Sequence, residues 1–480
     1  MQPNIILLTD SYKISHYKQY PTGTTQIYSY FESRGGDFET LTFFGLQYYL
    51  KEYLVGQVVT QAKIDQAEKL FAAHFGNEKL FNKAGWEYIL NTHNGHLPVR
   101  IKAVPEGSVI PTHNVIMTVE NTDPNCFWLT NFLETLLVQM WYPCTVATIS
   151  REVKSLITKY LEQTGDPTTI DFKLHDFGFR GVSSVESAGI GGAAHLVNFM
   201  GTDTVVALTF IEEYYAKKLP PTGKIKENYM FGFSIPAAEH STITSWGQTH
   251  EVDAYRNMLD QYPEGLVAVV SDSYDVYYAC EKLWGEVLKE KILGRNGTLV
   301  VRPDSGIPKD VVLKCVEILG DKIGFIINKK GYKVLNPKIR VIQGDGVNYE
   351  SIGEILENLK MHGWSADNVG FGMGGALLQK VHRDTQKFAF KCSCATVNGE
   401  DRDVFKDPIT DHGKKSKKGR LKLVYENEKY QTKALHEDGE DILQTVFENG
   451  IILKEIGFEE VKENSNKAVQ HLDGLVSNNM

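Results

Sequence analysis

At 480 residues the chain exceeds one ordinary domain, and 42% hydrophobic with 23% charged residues is the balance of a globular protein. A formal net charge of -9 leaves no broad basic face, which argues against nucleic acid or an anionic membrane as the main partner and requires anions to be bound locally. Six cysteines, only Cys392 and Cys394 close together, lack zinc spacing and disulfide density, and the start carries only the short apolar run Ile5 to Leu8. The expectation is a reduced, cytoplasmic protein with no signal or membrane span.

In chain order, residues 96 to 120 alternate as strands do (Val99, Ile101, Val104; Val115, Met117, Val119), punctuated by Pro98, Pro105 and Pro111. From about 150 to 385 the pattern changes to apolar strands ending in polar loops, at Phe172 to Arg180, Gly201 to Asp203 and Ala268 to Ser273. A polar, Pro/Gly-punctuated insert from Lys217 to Gly232 reads as a mobile loop beside a site. Three strand-turn-helix units follow. The first is Leu299 to Val301, turn Arg302-Pro303-Asp304-Ser305-Gly306, and a helix on Val312, Cys315, Val316 and Leu319. The second is Val341-Ile342, turn Gln343-Gly344-Asp345-Gly346, and a helix on Ile352, Ile355, Leu356 and Leu359. The third is Val369 to Phe371, turn Gly372-Met373-Gly374-Gly375, then Ala376-Leu377-Leu378. Residues 420 to 455 return to short strands and turns.

Repeated strand-turn-helix units pair in parallel with right-handed crossovers, so their turns share the carboxyl-terminal edge where such sheets and barrels bind ligands. The predicted fold is α/β: an irregular parallel barrel over 150–385, with 1–149 and 386–480 joining as a second, mixed β-rich domain. The turn chemistry suits a phosphorylated sugar with Mg²⁺. Glycines let backbone amides approach a phosphate, Asp304 and Asp345 bind hydroxyls or a hard cation, and Arg302 clamps phosphate with two donors. On the residues alone, Asp203 also suits a cap for a helix at Thr204-Val205-Val206, and Asp272 a cap for one near Tyr274.

Seven segments then carry a resemblance. Thr9 to Lys13, Tyr28 to Arg34, His175 to Val182, Pro236 to Ser241, Arg302 to Gly306, Gln343 to Val347 and Ser416 to Arg420 resemble the nicotinamide phosphoribosyltransferase family, which belongs to the type II phosphoribosyltransferases. The likeness runs nearly end to end. It implies condensation of nicotinamide with 5-phosphoribosyl 1-diphosphate to nicotinamide mononucleotide and diphosphate, in NAD salvage, by a homodimer with shared active sites.

The resemblance also implies roles. Phe177 and Tyr12 would sandwich the nicotinamide ring, with Tyr12 and Asp10 arriving from the partner subunit, and Asp203 would face the substrate amide and repel nicotinate. Arg302, Asp304 and Arg180 would meet the diphosphate and ribose, Gly344, Asp345, Gly374 and Gly375 would cradle the 5-phosphate, and Asp272 with Asp304 would neighbour Mg²⁺. Arg34, Arg383, Lys391, Lys406 and Lys414 match basic positions brought to the phosphates. His240 matches a histidine phosphorylated by ATP as co-substrate, with Glu239 to orient it.

Two departures accompany the match. Ala389 stands where the family has Ser two residues before the position of Lys391, and the loop after Arg34 is short while the insert from Lys217 is long. The rival readings are a nicotinate-using enzyme, opposed by Asp203, and a non-catalytic ligand-binding protein, opposed by the presence of His240, Asp203, Arg302 and Asp304. A phosphosugar aldolase or isomerase on a barrel would need a Schiff-base lysine or a carboxylate base at a strand end, for which Lys173 is the only near candidate.

Overall fold

Six parallel strands carry the centre of the chain, numbered here in sequence order: β1 Leu174–Asp176, β2 Gly201–Thr202, β3 Glu264–Val270, β4 Asn296–Arg302, β5 Ile339–Gln343 and β6 Val369–Met373. Their order across the sheet is β2-β1-β6-β5-β4-β3, every pairing parallel. The computed structural model describes residues 3–216, 230–410 and 415–476. The insert expected from Lys217 falls outside the described residues up to position 229, as does Lys414.

A seventh segment joins the two edges of this sheet. Phe233 makes a parallel bridge to Gly201 on β2, and Ala237 makes one to Ala268 on β3. The backbone bonds Thr202 N–H to Phe233 O at 3.0 Å and Ala238 N–H to Ala268 O at 2.9 Å complete the closure. The ring is therefore an irregular barrel. Pro236 has no N–H to donate, so this stave contributes single bridges where a full ladder would otherwise form.

The strands are buried on both faces, as βαβ geometry demands. Leu299, Val301, Val341 and Phe371 are fully buried on one side, while Ala268, Val300 and Ile342 pack together on the other with Phe177 and Ile235. The helices Pro308–Ile323 and Tyr349–Met361 bury Val312, Cys315, Val316 and Leu319, and Ile352, Ile355, Leu356 and Leu359, the stripes expected from the sequence. Pro308 at the first turn of one and the Asn348–Ser351 capping box of the other set their starts.

The chain divides into two compact units: Ile149–Ile211 with Lys226–Val381, which holds the barrel, and Met1–Thr148 with Glu212–Ile225 and His382–Met480. The described part of Glu212–Ile225, residues 212–216, placed in the barrel segment by sequence, belongs to the second unit. The reason is aromatic packing: Tyr215 stacks on Phe44 at 5.1 Å and its hydroxyl donates to Glu106 at 2.7 Å. This unit is built on a seven-stranded sheet ordered Glu400–Asp403, Phe388–Val397, Thr24–Ser33, Val115–Asn121, Val99–Ala103, Gln444–Glu448, Ile451–Ile452. Every pairing in it is antiparallel. Gln444–Glu448 pairs with Val99–Ala103, so the amino- and carboxyl-terminal flanks share one sheet.

Candidate active site

Parallel strands deliver their following residues to one edge. Phe177 follows β1, Asp203 follows β2, Asp272 follows β3, Asp304 follows β4, Gly344 and Asp345 follow β5, and Gly374 and Gly375 follow β6. The bridging segment runs in the same direction, and His240 opens the helix His240–Thr244 just beyond it.

His240 Nε2 lies 2.9 Å from Asp272 Oδ1, with the histidine half-exposed and the aspartate side chain only 7% exposed. A carboxylate accepts and does not donate, so Nε2 carries a proton, and in the neutral imidazole Nδ1 holds the lone pair. Glu239, expected to orient His240, instead caps its helix in a box with Thr242. Asp272 does not cap the next helix either: Asp275 does so, accepting from the Tyr277 and Tyr278 N–H groups at 3.0 Å.

Arg302 Nε is 3.6 Å from Asp304 Oδ1 and is buried with no hydrogen bond of normal geometry. Burial holds the Asp304 carboxyl above the ordinary range; Arg302 and His240 oppose this, while Asp272 and Asp345 add to it. Asp272, Asp304 and Asp345 stand as like charges at three neighbouring strand ends, and their oxygens are of the kind that a hard divalent cation takes. Gln343 Nε2 donates to the Asp345 carbonyl at 2.7 Å and braces that turn, whose Gly346 sits at φ +67, the left-handed region that glycine tolerates.

Phe177 is held by its N–H to the Met373 carbonyl at 3.0 Å. Its ring lies over Gly372, where a Cβ would stand 1.9 Å from the ring, and against Gly344, where a Cβ would be 3.5 Å away. Gly372 therefore makes room for the ring. Around Gly375 a Cβ would meet nothing within 4 Å, so that turn is open to approach. Arg180 is exposed on the turn Phe179–Gly181.

Asp203 donates its N–H to the Asp176 carbonyl at 2.9 Å, and its carboxylate accepts from the Ser234 hydroxyl. Beside it, burial keeps His175 below the usual imidazole range, with Asp203 acting in the opposite sense, and His175 Nε2 lies 3.1 Å from the Phe172 carbonyl. Ser234 and Asp176 escaped the sequence reading. Phe233-Ser234-Ile235 does alternate as a strand does, but the run is short and Pro236 cuts it.

The other site residues lie in the second unit. Asp10 accepts from Thr135 Oγ1 at 2.8 Å, and Tyr12, 60% exposed, meets His16 edge-on at 4.8 Å. Arg34 Nε donates to Glu32 at 2.8 Å, while its Nη2 is buried without a hydrogen-bond partner. Burial lowers the Lys391 pKa; Glu134 opposes this, and the cations Arg34, Lys406 and Arg383 reinforce it. Three cationic groups thus lie near Lys391, with Lys406 N–H bonded to Ser416 Oγ at 2.9 Å and Arg383 3.5 Å from Asp384.

Two further clusters have structural explanations. Lys173 Nζ donates to the carbonyls of Ala366, Asp367 and Val369, and it precedes β1, away from the strand ends, so it is not placed to form a Schiff base. His93, Asp123 and Cys126 lie close enough to share a metal. However, Asp123 already accepts from His93, Tyr88 and the Asn125 N–H, and burial pushes the Cys126 thiol up to about 12.

The barrel with its added β-rich sheet is the fold of the type II phosphoribosyltransferases. It matches nicotinate-nucleotide pyrophosphorylase from Pyrococcus furiosus at TM-score 0.61 and 16% identity, over 98% of this chain and 97% of that one. Human nicotinic acid phosphoribosyltransferase follows at TM-score 0.52 and 14% identity, over 97% and 94%. Residues 172–451 match the nicotinate phosphoribosyltransferase (NAPRTase) family, and residues 4–101 match the nicotinamide phosphoribosyltransferase N-terminal domain. A nicotinamide phosphoribosyltransferase of Xanthomonas campestris pv. campestris is 53% identical over 97% of this chain and 98% of its own length, and one of Acinetobacter baylyi is 32% identical over 98% of each. The chain belongs to the nicotinamide phosphoribosyltransferase family and is a pentosyltransferase. Among the described residues no helix is long and apolar enough to cross a membrane.

Proposed function

We propose that this enzyme joins nicotinamide to 5-phosphoribosyl 1-diphosphate, forming nicotinamide mononucleotide and diphosphate in NAD salvage, with ATP hydrolysis coupled through a phosphohistidine at His240. The observation that carries this reading is the grouping of a half-buried aromatic ring, a carboxylate, an arginine and a histidine at one barrel edge: Phe177, Asp203, Arg302 and His240.

The pyridine nitrogen attacks the sugar carbon as diphosphate leaves, so the protein positions the ring and neutralises departing charge; no acid–base pair is needed. Phe177 stacks on the ring, contributing about 0.5–1.5 kcal/mol. Asp203, its acceptors turned to the amide, repels nicotinate by about 4 kcal/mol for like charges about 4 Å apart at an effective dielectric of about 20. Arg302 and Arg180 take the diphosphate, and Gly344, Asp345, Gly374 and Gly375 take the 5-phosphate. Asp272 and Asp304 would hold Mg²⁺, which would offset phosphate charge.

With Asp272 on Nε2, Nδ1 of His240 is the nitrogen free to attack the γ-phosphorus of ATP, forming a P–N bond as the bond to ADP breaks. The enzyme acts in the cytoplasm as a homodimer with shared active sites, Asp10 and Tyr12 being supplied across the subunit boundary. Arg34, Arg383, Lys391, Lys406 and Lys414 supply further positive charge to the phosphates.

The test is nicotinamide mononucleotide formation, with nicotinate in parallel, with and without ATP, for wild type and His240→Ala. Conversion of nicotinamide alone, stimulated by ATP only in the wild type, is the expected result. Preference for nicotinate removes the Asp203 role, and equal ATP stimulation of His240→Ala removes the phosphohistidine.

A further inference from the structure

Asp176 ends β1 and is fully buried, yet no part of the reaction above uses it. Its surroundings are built around a carboxyl group. Oδ1 accepts the Gly178 N–H at 2.7 Å, bracing the turn that carries Phe177. The Thr202 and Thr204 side chains, on the turn that carries Asp203, lie beside the carboxylate. The Asp176 carbonyl accepts the Asp203 N–H at 2.9 Å, and the Thr204 N–H bonds to Thr202 Oγ1 at 3.0 Å. Two glycines shape the slot: a Cβ at Gly178 would stand 3.1 Å from Oδ1, and one at Gly192 would stand 3.2 Å from Oδ2.

A lone buried carboxyl group is costly unless its oxygens are held, and Oδ2 here is buried outside hydrogen-bonding geometry. Burial pushes the group up to about 6, the Gly178 N–H and the Thr204 and Thr202 hydroxyls opposing and the neighbouring Asp203 adding to it. An apolar residue would fill the slot at lower cost if packing were all that mattered. Asp176 instead joins two turns that come from different strands: its carboxylate holds the Gly178 N–H and lies beside Thr202 and Thr204, while its main-chain carbonyl holds the Asp203 N–H.

We propose that Asp176 is a positioning residue that fixes Phe177 and Asp203 relative to each other, so that one buried group sets both the plane of the bound ring and the acceptor facing its amide. This rests on the nicotinamide reading above. Asp176 touches neither substrate, and it acts first on the aromatic-base half of the site. Most of the phosphate half, on β4 to β6, is reached through other turns, Arg180 beyond Gly178 being the exception.

The experiment measures KM for nicotinamide and for 5-phosphoribosyl 1-diphosphate separately, together with the nicotinamide-to-nicotinate ratio of kcat/KM, in wild type, Asp176→Ala and Asp176→Asn. Loss of hydrogen bonds to a buried carboxylate predicts that Asp176→Ala raises the nicotinamide KM about tenfold and lowers the ratio by about as much. The KM for the activated ribose should rise far less than that for nicotinamide, and Asp176→Asn, which keeps the Oδ1 acceptor, should restore most of both losses. A merely structural role predicts that both KM values move together with the ratio unchanged; that result, or no change at all, overturns the proposal. If Asp176→Ala does not fold, Thr204→Val tests the Oδ2 face: a lowered ratio with the ribose KM unchanged supports the proposal, and an unchanged ratio overturns it. Failure of the wild type to use nicotinamide at all sinks the functional reading, and this proposal with it.

Discussion

At the amino-terminal ends of the barrel strands, cations meet carbonyl oxygens. Lys173 donates to three carbonyls, Arg340 Nη1 to those of Leu335, Asn336 and Ile339, and Arg295 to those of Tyr262, Glu264 and Gly265. At the carboxyl-terminal ends the pattern reverses. Asp176 Oδ2, Thr204 Oγ1, Ser273 Oγ, Arg302 Nε and Gln343 Oε1 are buried there outside hydrogen-bonding geometry. The same strands thus have one end whose polar groups are matched within the protein and one where several are not. An unmet buried polar group costs about 1–3 kcal/mol, so Arg302 Nε, at the place proposed for the diphosphate, marks where stability is given up for binding.

Breaking groups at either end should separate function from stability. The largest effect is expected from Asp203→Asn: removing the charge should relax discrimination against nicotinate by up to about a thousandfold, the equivalent of about 4 kcal/mol. A ratio of kcat/KM values within a few fold of wild type would show that another group selects the base. Arg302→Ala should lower kcat/KM by about a hundredfold to a thousandfold, as loss of a preorganised charge does, while the melting temperature holds. A large fall in melting temperature would move Arg302 into the structural class.

Lys173→Met should do the reverse. It leaves three buried carbonyls unmatched, at about 3 kcal/mol in denaturant unfolding, with kcat retained by the folded fraction. Equal stability of variant and wild type would erase the contrast between the two ends. The smallest effect concerns pH. The folded-state pKa of Asp176, raised to about 6, lies above its unfolded value, so the folded state binds more protons between about 4 and 6 and loses stability as pH rises through that window. Asp176→Asn removes that cost, so its melting temperature relative to wild type should be highest at pH 7 and fall toward pH 5. A difference that does not vary with pH would place the carboxyl in water.

Much of the barrel was legible because its signals are local. The turns at Arg302 to Gly306 and Gln343 to Gly346 lie between a short apolar run and a helical stripe, and their glycines mark tight or left-handed backbone; Gly306 is at φ +88. Such patterns need only a few neighbouring residues and the strand and helix periods to be read. The second unit was harder to delimit, because Tyr214 and Tyr215 end a helix predicted to stay with the barrel and pack instead on Tyr48 and Phe44.

The amino-acid sequence by itself determined the parallel array, the edge on which its turns fall and, through the resemblance, the family to which the chain belongs. Only the tertiary structure decided that Phe233 to Ala237 closes the ring, that Asp272 and not Glu239 holds His240, and that Gly372 yields its space to Phe177. The physical reason is reach. A turn's conformation is set by the residues within it, whereas a hydrogen bond between positions 240 and 272 exists only once separate strands have been brought side by side.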